Sequence, residues 1–230
     1  MHAILGNILK SRGILKAMIQ LADTILSTQP CKKLVVLLHG YGSNGFDLMD
    51  LAKSWQASLP FCDFLSPHAL EASEVNPFDG YQWFSLYDFS PFNVRRGLDR
   101  AGPMLASWLS NELTKRQLAP TDLVLVGFSQ GAMMALEMLY HFKALAGVIG
   151  YSGAFYEHQE AIQALSTSTP ILLVHGMQDG VVSYQAFLLS KSLLTQKGCP
   201  VQDLSCPYLA HGINEEGVLK GNDFLSKALS

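Results

Sequence analysis

The sequence predicts an α/β protein in which a mostly parallel central sheet carries helices on both faces. Three observations lead there. Short, uninterrupted apolar runs such as Leu34-Val35-Val36-Leu37-Leu38 and Ile171-Leu172-Leu173-Val174 recur along the chain, and runs of this length ended by turn residues mark strands buried on both faces. Between them lie stretches with apolar residues at helical spacing; such alternation builds parallel βαβ units joined by right-handed crossovers. Finally, 230 residues that are 49% hydrophobic and 15% charged supply one sizeable core and are too few for two comfortable domains.

Taken in order, residues 1–22 carry Lys10, Arg12 and Lys16 with no acidic residue before Asp23, and the apolar residues Ile4, Leu5, Ile8, Leu9, Ile14, Leu15, Met18, Ile19 and Ile25 suit a helix. The three cations interrupt any signal-peptide core, and the stretch is too short and too charged to span a bilayer. Residues 1–30 therefore read as an N-terminal extension packed on a single domain of residues 31–230, in preference to a segment that contacts membrane. Residues 33–38 predict a strand, the Gly-rich turn to Gly45 follows, and 47–55 predict a helix. A second strand is expected over 62–66. From Glu71 to Asn93 periodicity gives way to aromatics, among them Phe78, Tyr81, Trp83, Phe84, Tyr87 and Phe89; a loop this long in a compact domain is usually functional.

Helical spacing returns over 94–118, with Pro103 a candidate kink. Residues 123–126 predict the next strand and 132–139 a strong helix. Strands are then expected over 145–150, 170–175 and, more weakly, 201–206, with helices over 157–165, 183–197 and 213–228.

Charge and cysteines narrow the chemistry. A net charge of −3 without a polybasic run leaves no footprint for nucleic acid. Cys31, Cys62, Cys199 and Cys206 are scattered, without Cys-x-x-Cys or metal-ligand spacing. They suggest no metal site and read as reduced thiols in a reducing, cytoplasmic compartment.

The chemistry is carried by Gly127-Phe128-Ser129-Gln130-Gly131, set between an apolar run and a helical pattern. A strand that becomes a helix within three residues must bend sharply, and glycines two before and two after the serine relieve the crowding. The bare pattern arises by chance in about one chain in ten of this length, so partners are needed. A serine hydroxyl is a poor nucleophile until a base, oriented by an acid, takes its proton. Asp179 and His211 each sit in a turn just past a strand candidate, and the order Ser, Asp, His is that of the α/β-hydrolase arrangement. His39 and His175 end strands directly before Gly, where buried histidines bonded to backbone fit better. Gly150-Tyr151-Ser152-Gly153 is a decoy, because its second glycine adjoins the serine. Main-chain N–H groups of Gln130 and of Tyr41, in the first Gly-rich loop, are the candidate oxyanion donors.

These residues resemble the phospholipase/carboxylesterase branch of the α/β hydrolases, which includes acyl-protein thioesterases and small carboxylesterases. The resemblance runs from Lys33 to the C-terminus and rests on Leu38-His39-Gly40-Tyr41-Gly42, Ser66-Pro67-His68-Ala69, Trp83-Phe84, the Ser129 pentapeptide, His175-Gly176 with Asp179 and Val182, and His211-Gly212. It implies an α/β-hydrolase fold and a cofactor-free serine esterase acting on small-molecule carboxylic esters or thioesters. It also implies a substrate pocket at Trp83, Phe84, Phe128 and Val182, and, since such proteins are often dimeric, it allows a homodimer. Ala132 stands where many relatives have a second glycine. The connection from Gly150 to Pro170 is too short for a cap domain, so an open site for short or medium acyl chains is expected. The alternatives are an acyl-protein thioesterase or lysophospholipase with the same triad and, from another class, a binding or receptor module with little turnover.

Overall fold

The computed structural model describes residues 19–158 and 164–230. Nine strands and five α-helices alternate along it: β1 (Leu21–Ile25), β2 (Lys33–Leu38), α1 (Met49–Gln56), β3 (Cys62–Pro67), β4 (Glu71–Ala72), β5 (Tyr81–Gln82), α2 (Pro91–Arg116), β6 (Leu123–Phe128), α3 (Gln130–Glu137), β7 (Gly147–Tyr151), β8 (Ile171–Gly176), α4 (Tyr184–Gln196), β9 (Val201–Cys206) and α5 (Glu215–Ala228). Seven strands form one sheet in the order β1-β3-β2-β6-β7-β8-β9. All neighbours in it are parallel except β1, which runs antiparallel to β3.

Alternate residues of each strand feed opposite cores, as the twofold period of a strand requires. Leu34, Val36 and Leu38 of β2 pack with Val94, Leu98 and Leu105 of α2, Met134 of α3 and Phe187 of α4. Val35 and Leu37 face the other way, toward Met49 and Trp55 of α1 and Phe224 and Leu225 of α5. Helices thus cover both faces, and the sheet interior is dry: the strand residues Leu34 to Leu38 and Leu123 to Val126 are fully buried.

Two expectations change. The apolar pattern read as a helix continuing to Ile25 instead gives β1, an edge strand whose Leu21 pairs with Pro67; the earlier part of that pattern lies outside the described residues. An edge strand with one covered face needs only alternate apolar residues, which a helical template also tolerates. Helix α2 begins at Pro91, capped by the Ser90 side chain, and runs on through Pro103 to Arg116. The helix expected over 157–165 falls mostly outside the described residues.

Topology fixes where a ligand belongs. From β2 the chain steps outward to β3 on one side, then returns to β6 on the other and proceeds to β9. The loops after β2 and β6 therefore diverge, and a crevice opens between them at the carboxyl ends of the strands. Register keeps that edge level: Leu38 pairs with Gly127, Phe128 with Tyr151, and Tyr151 with Val174.

Candidate active site

Ser129 is the residue between β6 and α3, with φ 54° and ψ −116°. A non-glycine residue in that region is strained, and such strain is kept only where the surroundings enforce it. They do so here. The Ser129 N–H donates to Tyr151 O at 2.9 Å, and its carbonyl accepts from Ala132 N at 3.0 Å, so strand and helix clamp the turn from both sides. A Cβ at Gly131 would lie 1.9 Å from Leu38 O, and one at Gly127 2.2 Å from Gly131 O. Only glycine permits the helix to start against β2 at that distance.

The candidate acid and base, Asp179 and His211, are in direct contact. His211 Nδ1 lies 2.8 Å from Asp179 Oδ2, while Asp179 Oδ1 accepts the N–H groups of Val181 and Val182, both at 2.9 Å. Burial works against this carboxylate, yet the bond from His211 and the two amides outweigh it and hold the carboxyl below its ordinary range. Asp179 is thus an anion that orients His211 with the proton on Nδ1 and leaves Nε2 as the basic nitrogen. The residue before Ser129 packs on this pair: the Phe128 ring lies 4.8 Å from the His211 ring, centroid to centroid.

His39 and His175 are buried and bonded to the backbone. His39 accepts the Ala69 N–H on Nε2 at 3.0 Å, so its Nδ1 carries the proton and donates to Gly40 O at 2.8 Å. Desolvation lowers its pKa to about 4, against the opposing bond to Gly40. His175 donates from Nε2 to Val182 O at 2.8 Å, bracing the loop that carries Asp179. Ser152, the decoy, also has positive φ, 48°, and its hydroxyl donates to Gly212 O at 3.3 Å beside His211.

Of the four residues expected in a substrate pocket, only Phe128 is partly exposed. Trp83, Phe84 and Val182 are at most 2% exposed and belong to the core between the sheet and α2 to α4. The physical reason is a set of bonds with no local signature. Gln130, fully buried, accepts the Trp83 N–H on Oε1 at 3.0 Å and donates from Nε2 to Phe84 O at 2.7 Å. The Trp83 indole donates to His39 O at 3.0 Å, and the Phe84 ring occupies the space left by Gly97 on α2. The sequence points to Gln130 only through its main-chain N–H; the bonds of its carboxamide join residues 47 and 46 positions apart and leave no local pattern. Among the described residues, no cluster of His, Cys, Asp or Glu could hold a metal ion.

A three-layer sheet whose strand–Ser–helix turn and Asp–His pair share one edge defines an α/β hydrolase. More narrowly, the chain belongs to the phospholipase/carboxylesterase family, whose profile matches residues 20–229. Among its relatives is acyl-protein thioesterase 1 of Neurospora crassa, 27% identical over 213 residues that cover 85% of this chain and 86% of that protein. Esterase YpfH of Escherichia coli is 27% identical over 198 residues, 86% of this chain and 83% of that one. The crystal structure of esterase PE8 superposes with a TM-score of 0.86 at 32% identity, covering 92% of this chain and all of that one. The protein is accordingly a hydrolase with esterase activity.

Proposed function

We propose that the chain is a serine carboxylesterase that cleaves short- to medium-chain carboxylic esters or thioesters through an acyl-enzyme intermediate. The observation that carries this is the Asp179–His211 contact at 2.8 Å, with the second Asp179 oxygen already held by two amides. Ser129 Oγ attacks the acyl carbon while His211 Nε2 takes its proton. The tetrahedral oxygen settles against the N–H groups of Tyr41 and Gln130, which belong to the two loops that diverge at the switch point. Collapse expels the alcohol or thiol, protonated by His211, and leaves Ser129 acylated. Water, deprotonated by the same nitrogen, then releases the acid.

Relatives named acyl-protein thioesterase favour a second substrate class, the thioester of an acylated protein. The unbridged state of all four cysteines supports a cytoplasmic enzyme. No helix among the described residues is long and apolar enough to cross a membrane. Strand β1, paired with β3, adds its edge to the sheet that carries the candidate site.

Labelling by a fluorophosphonate probe tests the proposal: the wild type is expected to label and Ser129→Ala to lose the label, whereas an unlabelled wild type returns the chain to the binding-module class. Nitrophenyl esters from acetate to palmitate test the acyl range. A maximum at palmitate contradicts an open site for short and medium chains.

A further inference from the structure

The two candidate oxyanion donors come from different elements, so something must fix the distance between them. Tyr41 lies in the loop after β2, and Gln130 opens α3. Residues 81–84 touch both. On one side, the Gly42 N–H donates to Tyr81 O at 3.0 Å and the Tyr81 N–H to Ser43 O at 2.6 Å, which ties the backbone directly after Tyr41 to this segment. The Trp83 indole adds its bond to His39 O at 3.0 Å, two residues before Tyr41. On the other side, the carboxamide of Gln130 holds the N–H of Trp83 and the carbonyl of Phe84. Five hydrogen bonds thus make this segment a strut between the two loops.

We propose that the Gln130 carboxamide and the Trp83 indole are positioning groups that set the spacing of the two oxyanion donors through this strut. The proposal rests on the serine-hydrolase reading above. Its chemistry is specific. Gln130 both donates and accepts, as the adjoining N–H and C=O of residues 83 and 84 require, and no other uncharged side chain of that length offers both. The same residue therefore supplies one donor from its main chain and aligns the other with its side chain. Neither side chain touches the reacting atoms. Their effect must appear where charge develops on the oxygen and not where the substrate merely binds.

The experiment compares Gln130→Met, which keeps the length and loses both bonds, with Trp83→Phe, which keeps an aromatic ring and loses only the indole N–H. In each, kcat for a nitrophenyl ester is expected to fall by between about 10- and 100-fold. KM is expected to stay within about twofold, while the Ki of a short-chain trifluoromethyl ketone, whose hemiketal oxygen occupies the hole, rises by the same factor as kcat falls. Because both act through one strut, the double variant is expected to lose less than the product of the single losses. Parallel rises of KM and Ki, or unchanged Ki with a lower kcat, overturn the proposal. Should Gln130→Met not fold, Trp83→Phe decides alone. Turnover persisting in Ser129→Ala defeats the underlying hydrolase reading instead, so the two failures are distinguishable.

Discussion

Asp179 divides its two carboxylate oxygens between different tasks: Oδ1 accepts the amides of Val181 and Val182, and Oδ2 faces His211 Nδ1. An asparagine there has no freedom to choose. Its carbonyl must take the position of Oδ1, because two N–H donors occupy that side, and its NH2 is driven toward His211. Nδ1 then becomes the acceptor, and the proton moves to the nitrogen that should serve as base. Asp179→Asn is therefore expected to lower kcat by about 10⁴-fold, with the fold intact by circular dichroism. Steady-state hydrolysis of a nitrophenyl ester checks it. A loss under about tenfold would show that Asp179 does not fix the tautomer of His211.

The serine turn makes a sharp contrast between adjacent residues. A Cβ at Gly131 falls 1.9 Å from Leu38 O, a backbone atom at the carboxyl end of the central strand β2 that cannot move aside. Gly131→Ala is expected to cost more than about 4 kcal/mol and to give little folded protein. Ala132, one residue on, has its methyl seated where Gly153 offers room. Ala132→Gly is expected to cost only about 1 kcal/mol, the helix-propensity difference, and to leave an active enzyme. Denaturant unfolding of the two variants checks both halves of the contrast.

Much of this arrangement is legible from local pattern because the strands that carry the site are buried on both faces. β2, β6, β7 and β8 declare themselves as unbroken apolar runs, with Ser129 just past β6 and Asp179 just past β8, whereas His211 follows the partly buried β9. The remainder depends on contacts between distant residues. β1 is half-exposed at the sheet edge, so its alternation of Leu21, Asp23 and Ile25 carries no continuous run. Strands β4 and β5 have two residues each and are too short to show a period. Trp83 and Phe84 look, as aromatics in a long loop, like pocket lining. They are core residues because Gln130, more than 40 positions away, draws their backbone against the elbow.

His39 gives the protein a defined acid sensitivity. In the unfolded chain it binds a proton near its ordinary value of 6.5, whereas in the fold desolvation delays protonation to about 4. Between those values the unfolded state holds one more proton, so stability falls as pH drops through that window and levels off below it. At about 1.4 kcal/mol per pH unit the loss is about 3 kcal/mol. Asp179, depressed in the fold, adds its own loss at lower pH, as acid protonates the carboxylate. His39→Gln removes the first of these. The pH dependence of its unfolding free energy between 6.5 and 4 is expected to be shallower than that of the wild type by about one proton. Equal slopes, measured by urea denaturation, would mean that His39 titrates normally in the fold.

The strain at Ser129 has a measurable magnitude. Its φ of 54° with ψ of −116° costs an L-residue about 1–3 kcal/mol, and the cost falls on the backbone, whatever the side chain carries. Ser129→Ala deletes the hydroxyl and retains the strain. Ser129→Gly deletes both, but glycine adds about 0.5–1 kcal/mol of entropy to the unfolded chain. The relief exceeds that penalty, so the glycine variant is expected to be more stable than the alanine variant by about 1 kcal/mol, although both are inactive. Thermal and urea unfolding of the pair decide the point. If alanine proves equal or better, the turn relaxes when the hydroxyl is lost, and the clamp formed by Tyr151, Ala132 and the two close-packed glycines does not by itself hold residue 129 at positive φ.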